Sequence, residues 1–348
     1  SQYGGDWMDV AFHANKTADT YGLDTKVVGM MINWLLDCYQ VGIITEGDVD
    51  LPLSRVGTIE FIEAFVRKVS LREGFGDVLA MGFKRATVSL GSAAQEMARH
   101  TAHAALEGYR DIYSPQLYTP HALFYSLEPR YAMTQLHEMG TTIPKWVSWA
   151  QGNPKGLSWD GLRAIAKRFW GSEQAVDFST YDGKALAAKM IQDREYVKEC
   201  LILCDNIWPL IEVRSTENNV GDPTLESQLV SAVTGSDMDE DELSRIGERV
   251  FNLQRAIQVR EGHHGREDDN LPESHFTEPL EIEFLNPDCL VPGKNGEAIS
   301  RKGAVVDKQE FERMKDEFYA IRGWDVATGL QTMSKLTELG LQDVARQM

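Results

Sequence analysis

The chain has 348 residues, 43% of them hydrophobic, and a formal net charge of −18. That length allows two domains, or one large one, around a substantial core. The negative charge argues against nucleic acid and against an anionic membrane surface as partners. No apolar run approaches the ~20 residues of a membrane span, and no signal peptide is expected.

Asp6 to Thr20 reads as a helix leading into a corner, Asp19-Thr20-Tyr21-Gly22-Leu23-Asp24-Thr25. Gly22 lets the chain turn where a side chain would clash. The corner gathers Asp19, Asp24 and Thr25 with the free N–H groups of a helix start. That suits a polar, partly anionic ligand, and equally an ordinary helix–Gly–helix corner capped by Asp24 or Thr25. Lys26 to Val41 reads as the next helix, with Val27, Met30, Met31, Trp34, Leu35 and Cys38 at three- and four-residue steps and Gly42 as its stop. Cys38 is expected as a small buried thiol.

Thr58 opens a helix striped by Ile59, Ile62, Phe65, Val66 and Val69. Arg72 to Gly76 reads as a turn, and Asp77 as the cap of a helix through Ala86. A helix over Ala93 to Gly108 carries His100 and His103; with no third ligand at hand, both are expected as surface or packed histidines. Pro115, Pro120, Pro129 and Pro144 break Tyr109 to Gly156 into short pieces, suited to a pocket wall or an interdomain wall. Ser158 to Trp170 and Gly183 to Cys204 read as helices.

Asp239 and Glu242 form a capping-box pattern. The helix they start has Leu243, Ile246, Val250, Leu253 and Ile257 on one stripe and ends at Gly262. Asp307 and Glu310 repeat the device ahead of Phe311, Met314, Phe318 and Ile321. Thr332 to Leu339 reads as the last helix. Glu281 to Leu285 and Ala304 to Val306 are the best strand signals, with a hairpin-type turn at Lys294-Asn295-Gly296. The reading is mostly α, divided into helical regions at 1–98 and 99–348.

Four cysteines, Cys38, Cys200, Cys204 and Cys289, show no disulfide-framework spacing, so a reducing cytoplasm is expected. Cys200 and Cys204 stand four apart on the expected helix, which fits metal ligation or simple packing of small residues. A cubane cluster needs four thiolates, more than this spacing supplies.

Asp19-x-x-Gly22-Leu23-Asp24-Thr25 resembles the first pterin-binding motif of the aldehyde ferredoxin oxidoreductase family, D-x-x-G-L-C/D. Further stretches resemble the family in the same order: Arg72-Glu73-Gly74-Phe75-Gly76-Asp77-Val78-Leu79-Ala80, Ile246-Gly247-Glu248-Arg249 with Asn252-Leu253, Val259-Arg260-Glu261-Gly262, Arg266 to Pro272, and Arg322-Gly323-Trp324-Asp325. The likeness runs from about Asn15 to the C-terminus and is weak between Tyr109 and Val197. It implies the multihelical C-terminal part of such an enzyme, with the N-terminal cofactor domain and three cluster cysteines lying upstream.

The resemblance implies a tungsten or molybdenum bis-pterin centre and a 4Fe–4S cluster. It places Asp19, Gly22, Leu23, Asp24 and Thr25 at one pterin. Glu199-Cys200-Leu201-Ile202-Leu203-Cys204 stands at the second motif, with Glu for Asp and Ile for Gly. Glu199 and Leu203 would then lie near the other pterin, and Cys204 would ligate the cluster. The family's proton-handling histidine follows an Arg-Gly-Ala-like stretch; here Arg130-Tyr131-Ala132 leads to His137.

The implied reaction interconverts aldehydes and carboxylic acids, with a ferredoxin-like acceptor. One alternative is a tungsten subunit of the benzoyl-CoA reductase type, working with other electron-transfer subunits. Another is a helical fragment without catalysis. An apolar face left by the missing domain would favour self-association.

Overall fold

The computed structural model describes residues 7–101, 113–130, 132–213, 215–216, 218–283 and 285–346; for residues 7, 8, 84 and 99–101 it describes backbone alone. The expected mostly α fold is what the chain adopts, with two short strands among the described residues. Two compact units divide it, Ser1–Ile112 and Tyr113–Met348. His103 and the end of the expected helix lie outside the described residues, as does the side chain of His100. No described helix is long and apolar enough to cross a membrane.

The first unit contains α1 (Trp7–Thr20), α2 (Thr25–Gln40), α3 (Glu46–Val49), α4 (Ile59–Leu71), α5 (Gly76–Leu79), α6 (Phe83–Ser89) and α7 (Ser92–Thr101). Ala14 and Ala18 present small side chains on α1, and α4 packs there with Phe61, Phe65 and Val66 buried. Trp34 of α2 donates its indole N–H to the Ala94 carbonyl on α7 at 2.9 Å, so its one polar atom is satisfied inside the core. Cys38 is fully buried, as expected. The helix expected from Asp77 to Ala86 is instead broken. Gly82 takes φ +96° between α5 and α6, a conformation few side chains adopt. Asp77 is not its cap; it pairs with Arg72 at 2.5 Å.

The second unit contains α8 (His121–Leu127), α9 (Met133–Ala150), α10 (Trp159–Phe169), α11 (Lys184–Cys200), α12 (Leu225–Thr234), α13 (Glu240–Arg260), α14 (Ser274–Thr277), β1 (Leu290–Pro292), β2 (Ala298–Ser300), α15 (Lys308–Arg322), α16 (Met333–Glu338) and α17 (Gln342–Ala345). Pro144 does not break the chain, as its residue type suggested: it sits inside α9. Buried Leu136, Met139, Ile143 and Trp146 hold that helix through the lost hydrogen bond. The hairpin turn falls where expected, at Lys294–Gly296. The strands flank it directly, in register Leu290 with Ser300 and Pro292 with Ala298, rather than at 281–285 and 304–306.

The centre of this unit is α11 packed along α13. The capping box forms as read: Asp239 accepts from the Glu242 N–H at 2.8 Å, and Glu242 accepts from the Asp239 N–H at 3.2 Å. The buried face of α13, however, is rotated from the expected stripe. Ile246, Leu253 and Ile257 are exposed, whereas Leu243, Gly247, Glu248, Phe251, Asn252 and Arg255 are buried. The cause is twofold. A Cβ on Gly247 would lie 2.0 Å from the Asp193 carbonyl oxygen, so only glycine lets α11 come this close. The polar residues are buried because each is paired. Arg255 bonds Asp269, Asn252 accepts from the Trp324 indole at 2.8 Å, and Glu248 meets Lys335 at 3.1 Å.

Candidate functional site

The expected ligand residues fall in both units. In the first, α1 runs into the corner at Gly22, whose φ is +71°. Asp24 is the N-cap of α2: its Oδ1 accepts the Lys26 N–H at 2.8 Å and the Val27 N–H at 3.2 Å. Asp19 is exposed, and its carbonyl accepts the Gly22 N–H at 3.1 Å. Nothing lies within 4 Å of a Cβ built on Gly22. The corner is thus fixed by a cap and open to solvent, with Leu23 and Thr25 half-buried behind it.

In the second unit, α11 stops at Cys200, four residues before the expected end, because Ile202 takes φ +56°. Cys204 therefore stands on an irregular segment, not one turn above Cys200. Both thiols are exposed. Glu199, in the last turn of α11, accepts from Arg130 Nη2 at 2.6 and 2.7 Å and from the Thr134 hydroxyl at 3.1 Å. Its carboxylate is already occupied by a protein cation.

His137 projects from α9, where its Nδ1 meets Asp205 Oδ2 at 2.5 Å. Asp205 also takes the Lys198 ammonium, which in turn contacts Glu195. Burial alone would lift the Asp205 carboxyl; hydrogen bonds from His137 and Lys198 hold it below the usual carboxylate range. Glu195 shows the reverse: complete burial raises its carboxyl well above the ordinary value despite Lys198.

A cavity of about 590 Å³ opens beside this group, walled by His137, Asp205, Glu195, Tyr113, Trp208 and Lys145 among others. Lys145 meets Glu212 across it at 2.7 Å. Tyr113 is anchored on every side. Its N–H donates to Glu283 at 2.8 Å, its carbonyl meets His121 Nδ1 at 2.7 Å, and its ring stands edge-on to His137 at 5.4 Å. A Cβ on Gly140 would fall 2.2 Å from that ring, so glycine on α9 makes room for it. A larger depression of about 860 Å³, bordered by Arg245, Arg249 and Arg346, holds none of the expected site residues.

Asp205, Lys198, Glu195 and Tyr113 were given no role by the sequence. Asp205 directly follows Cys204, but its partner His137 is 68 residues away, a separation no local pattern reveals.

The residues fit the implied groups unevenly. The Asp19–Thr25 corner suits a ligand that donates to carboxylates and approaches the backbone closely at Gly22. A cubane takes four thiolates. Among the described residues no three of His, Cys, Asp or Glu gather as a metal site.

Comparison with known proteins bears on both units. Residues 1–341 match the family described as aldehyde ferredoxin oxidoreductase, domains 2 and 3. The tungsten-containing aldehyde ferredoxin oxidoreductase of Pyrococcus horikoshii is 26% identical over 341 residues, covering 95% of this chain and 45% of that protein. That of Pyrococcus abyssi is 25% identical with the same coverage. The chain thus spans about half the length of these relatives. A solved active-site complex of benzoyl coenzyme A reductase with 1,5-dienoyl-CoA shares the fold, with a TM-score of 0.58 at 19% identity, over 97% of this chain and 47% of that one. With nearly its whole length matched, this chain belongs to the aldehyde ferredoxin oxidoreductase family as its domains 2 and 3.

Proposed function

We propose that this chain is the helical part of a tungsten (or molybdenum) bis-pterin, iron–sulfur oxidoreductase that interconverts aldehydes and carboxylic acids. The observation that carries the reading is the adjacency of Cys204 and Asp205. An exposed thiol of the family's second motif is joined directly to the carboxylate that holds His137 at a cavity. When bound, the metal–pterin centre supplies the two-electron chemistry.

The protein's own groups do the rest. Asp19, Gly22, Leu23, Asp24 and Thr25 hold one pterin, and Glu199 and Leu203 border the other, with Arg130 neutralising Glu199. Cys204 supplies one cluster ligand; the others come from an N-terminal domain. His137, held through Nδ1, exchanges protons with the substrate through Nε2. Electrons leave to a ferredoxin-like acceptor in the cytoplasm.

The test is elemental analysis of the native full-length protein purified without oxygen. About one tungsten or molybdenum and about four iron atoms per chain, as one cubane requires, support the reading, and Cys204→Ser should lower the iron. Absence of both metals overturns it in favour of a non-catalytic scaffold. Tyr113 and Trp208 give the cavity aromatic walls, which favour a second reading, the reduction of an aromatic thioester. Turnover of benzoyl-CoA but not of simple aldehydes would select it, and with it a complex with further electron-transfer subunits.

A further inference from the structure

We infer that Lys198, itself held by Glu195, is a positioning residue that locks His137 into one tautomer. The inference rests on the proposed role of His137. The chain of contacts is continuous: Glu195 to Lys198 Nζ, Lys198 Nζ to Asp205 Oδ1, and Asp205 Oδ2 to His137 Nδ1 at 2.5 Å. His137, Asp205 and Glu195 border the cavity, whereas Lys198 stands behind it.

Asp205 needs such an anchor. It lies on an irregular segment five residues beyond the end of α11, with backbone that no helix fixes. Lys198 is in the last turn of α11, and its side chain is 2% exposed. A buried ammonium is tolerable only when paired, and its carboxylate partners among the described residues are Glu195 and Asp205. Burial opposes the Lys198 charge, but those two carboxyls together raise its pKa. The lysine is therefore a fixed cation, and the carboxylate it grips is fixed with it.

A carboxylate held at Nδ1 makes that nitrogen the donor and leaves Nε2 bare. The other titratable groups facing His137 do not compete for Nδ1. Tyr113 meets the ring edge-on, His121 is turned to the Tyr113 carbonyl, Glu138 takes the Trp170 indole, and Lys145 is paired with Glu212.

The experiment is ring-nitrogen NMR of the eight histidines in this chain, with His137→Asn used to assign the His137 signal. In the parent chain, neutral His137 should give one tautomer, protonated at Nδ1. Lys198→Met should give a mixture, Lys198→Arg should restore the single form, and Glu195→Gln, which still accepts from Lys198, should keep it. If Lys198→Met fails to fold, the double variant E195Q/K198M removes the unpaired carboxylate and serves in its place. A single tautomer in a folded variant lacking Lys198 overturns the proposal. In the full-length enzyme, Lys198→Met should lower kcat about tenfold with KM within twofold. Undiminished turnover by His137→Asn would refute the catalytic reading of His137, while the tautomer result would stand or fall separately.

Discussion

Arg255 and Asp269 face each other with no exposure on either side chain, Nη1 to Oδ1 at 2.8 Å. The Tyr319 hydroxyl donates to the same carboxylate at 2.7 Å, and the Arg255 guanidinium lies 5.1 Å from the Trp324 ring centre. Arg255→Met leaves a buried carboxylate without its cation. Its expected cost is roughly 3–5 kcal/mol, read as a lower urea midpoint. The double variant R255M/D269L should recover much of that loss.

Gly247 sets the distance between α11 and α13. In an exposed helix interior, Gly→Ala stabilises by about 1 kcal/mol. Here the added Cβ would meet the Asp193 carbonyl at 2.0 Å. Gly247→Ala should therefore destabilise by about 1–3 kcal/mol, a reversal of sign visible in thermal unfolding.

These two positions show why α13 was readable only in part. Its start was legible because a capping box is local, and its end because Gly262 follows at once. The face it buries was not. Ile246, Leu253 and Ile257 carry the apolar period, but the neighbour is chosen by a glycine and by polar groups whose partners are distant in sequence. The same limit applies to the site. The Gly22 corner and the cap at Asp24 were legible. The grip of Asp205 on His137 joins residues 68 apart and was not. The early end of α11 at Cys200 was missed because a non-glycine residue, Ile202, takes the left-handed turn.

His121 predicts a pH dependence. Burial pushes its imidazole from 6.5 down to about 3. The folded chain thus keeps it neutral where the unfolded chain protonates it. Its contribution to stability is full above pH 6.5 and is lost as pH falls toward 3. The expected slope from this one group is about 1.4 kcal/mol per pH unit. Denaturant midpoints at pH 7 and pH 5 should differ less in His121→Gln than in the parent chain.

The four cysteines should divide by accessibility. Cys200 and Cys204 are exposed, whereas Cys38 and Cys289 are buried. Burial, with Asp37 nearby, raises the Cys38 thiol to about 11. A thiol reagent at pH 8 should label two sites quickly in this chain and the remaining two only after unfolding. Four fast sites would contradict the described burial.

Arg322 of α15 grips Asp193 and Gln192 of α11, partners 129 and 130 positions earlier. Those acceptors leave the ribosome long before their cation does. Until α15 emerges, Asp193 has Lys189 of its own helix as its one cation among the described residues, and the Gln192 side-chain carbonyl lacks its guanidinium donor. The nascent second unit therefore waits for its C-terminal quarter before closing its centre. A chain stopped ahead of α15 should be bound by chaperones or degraded rather than accumulate as a smaller folded product.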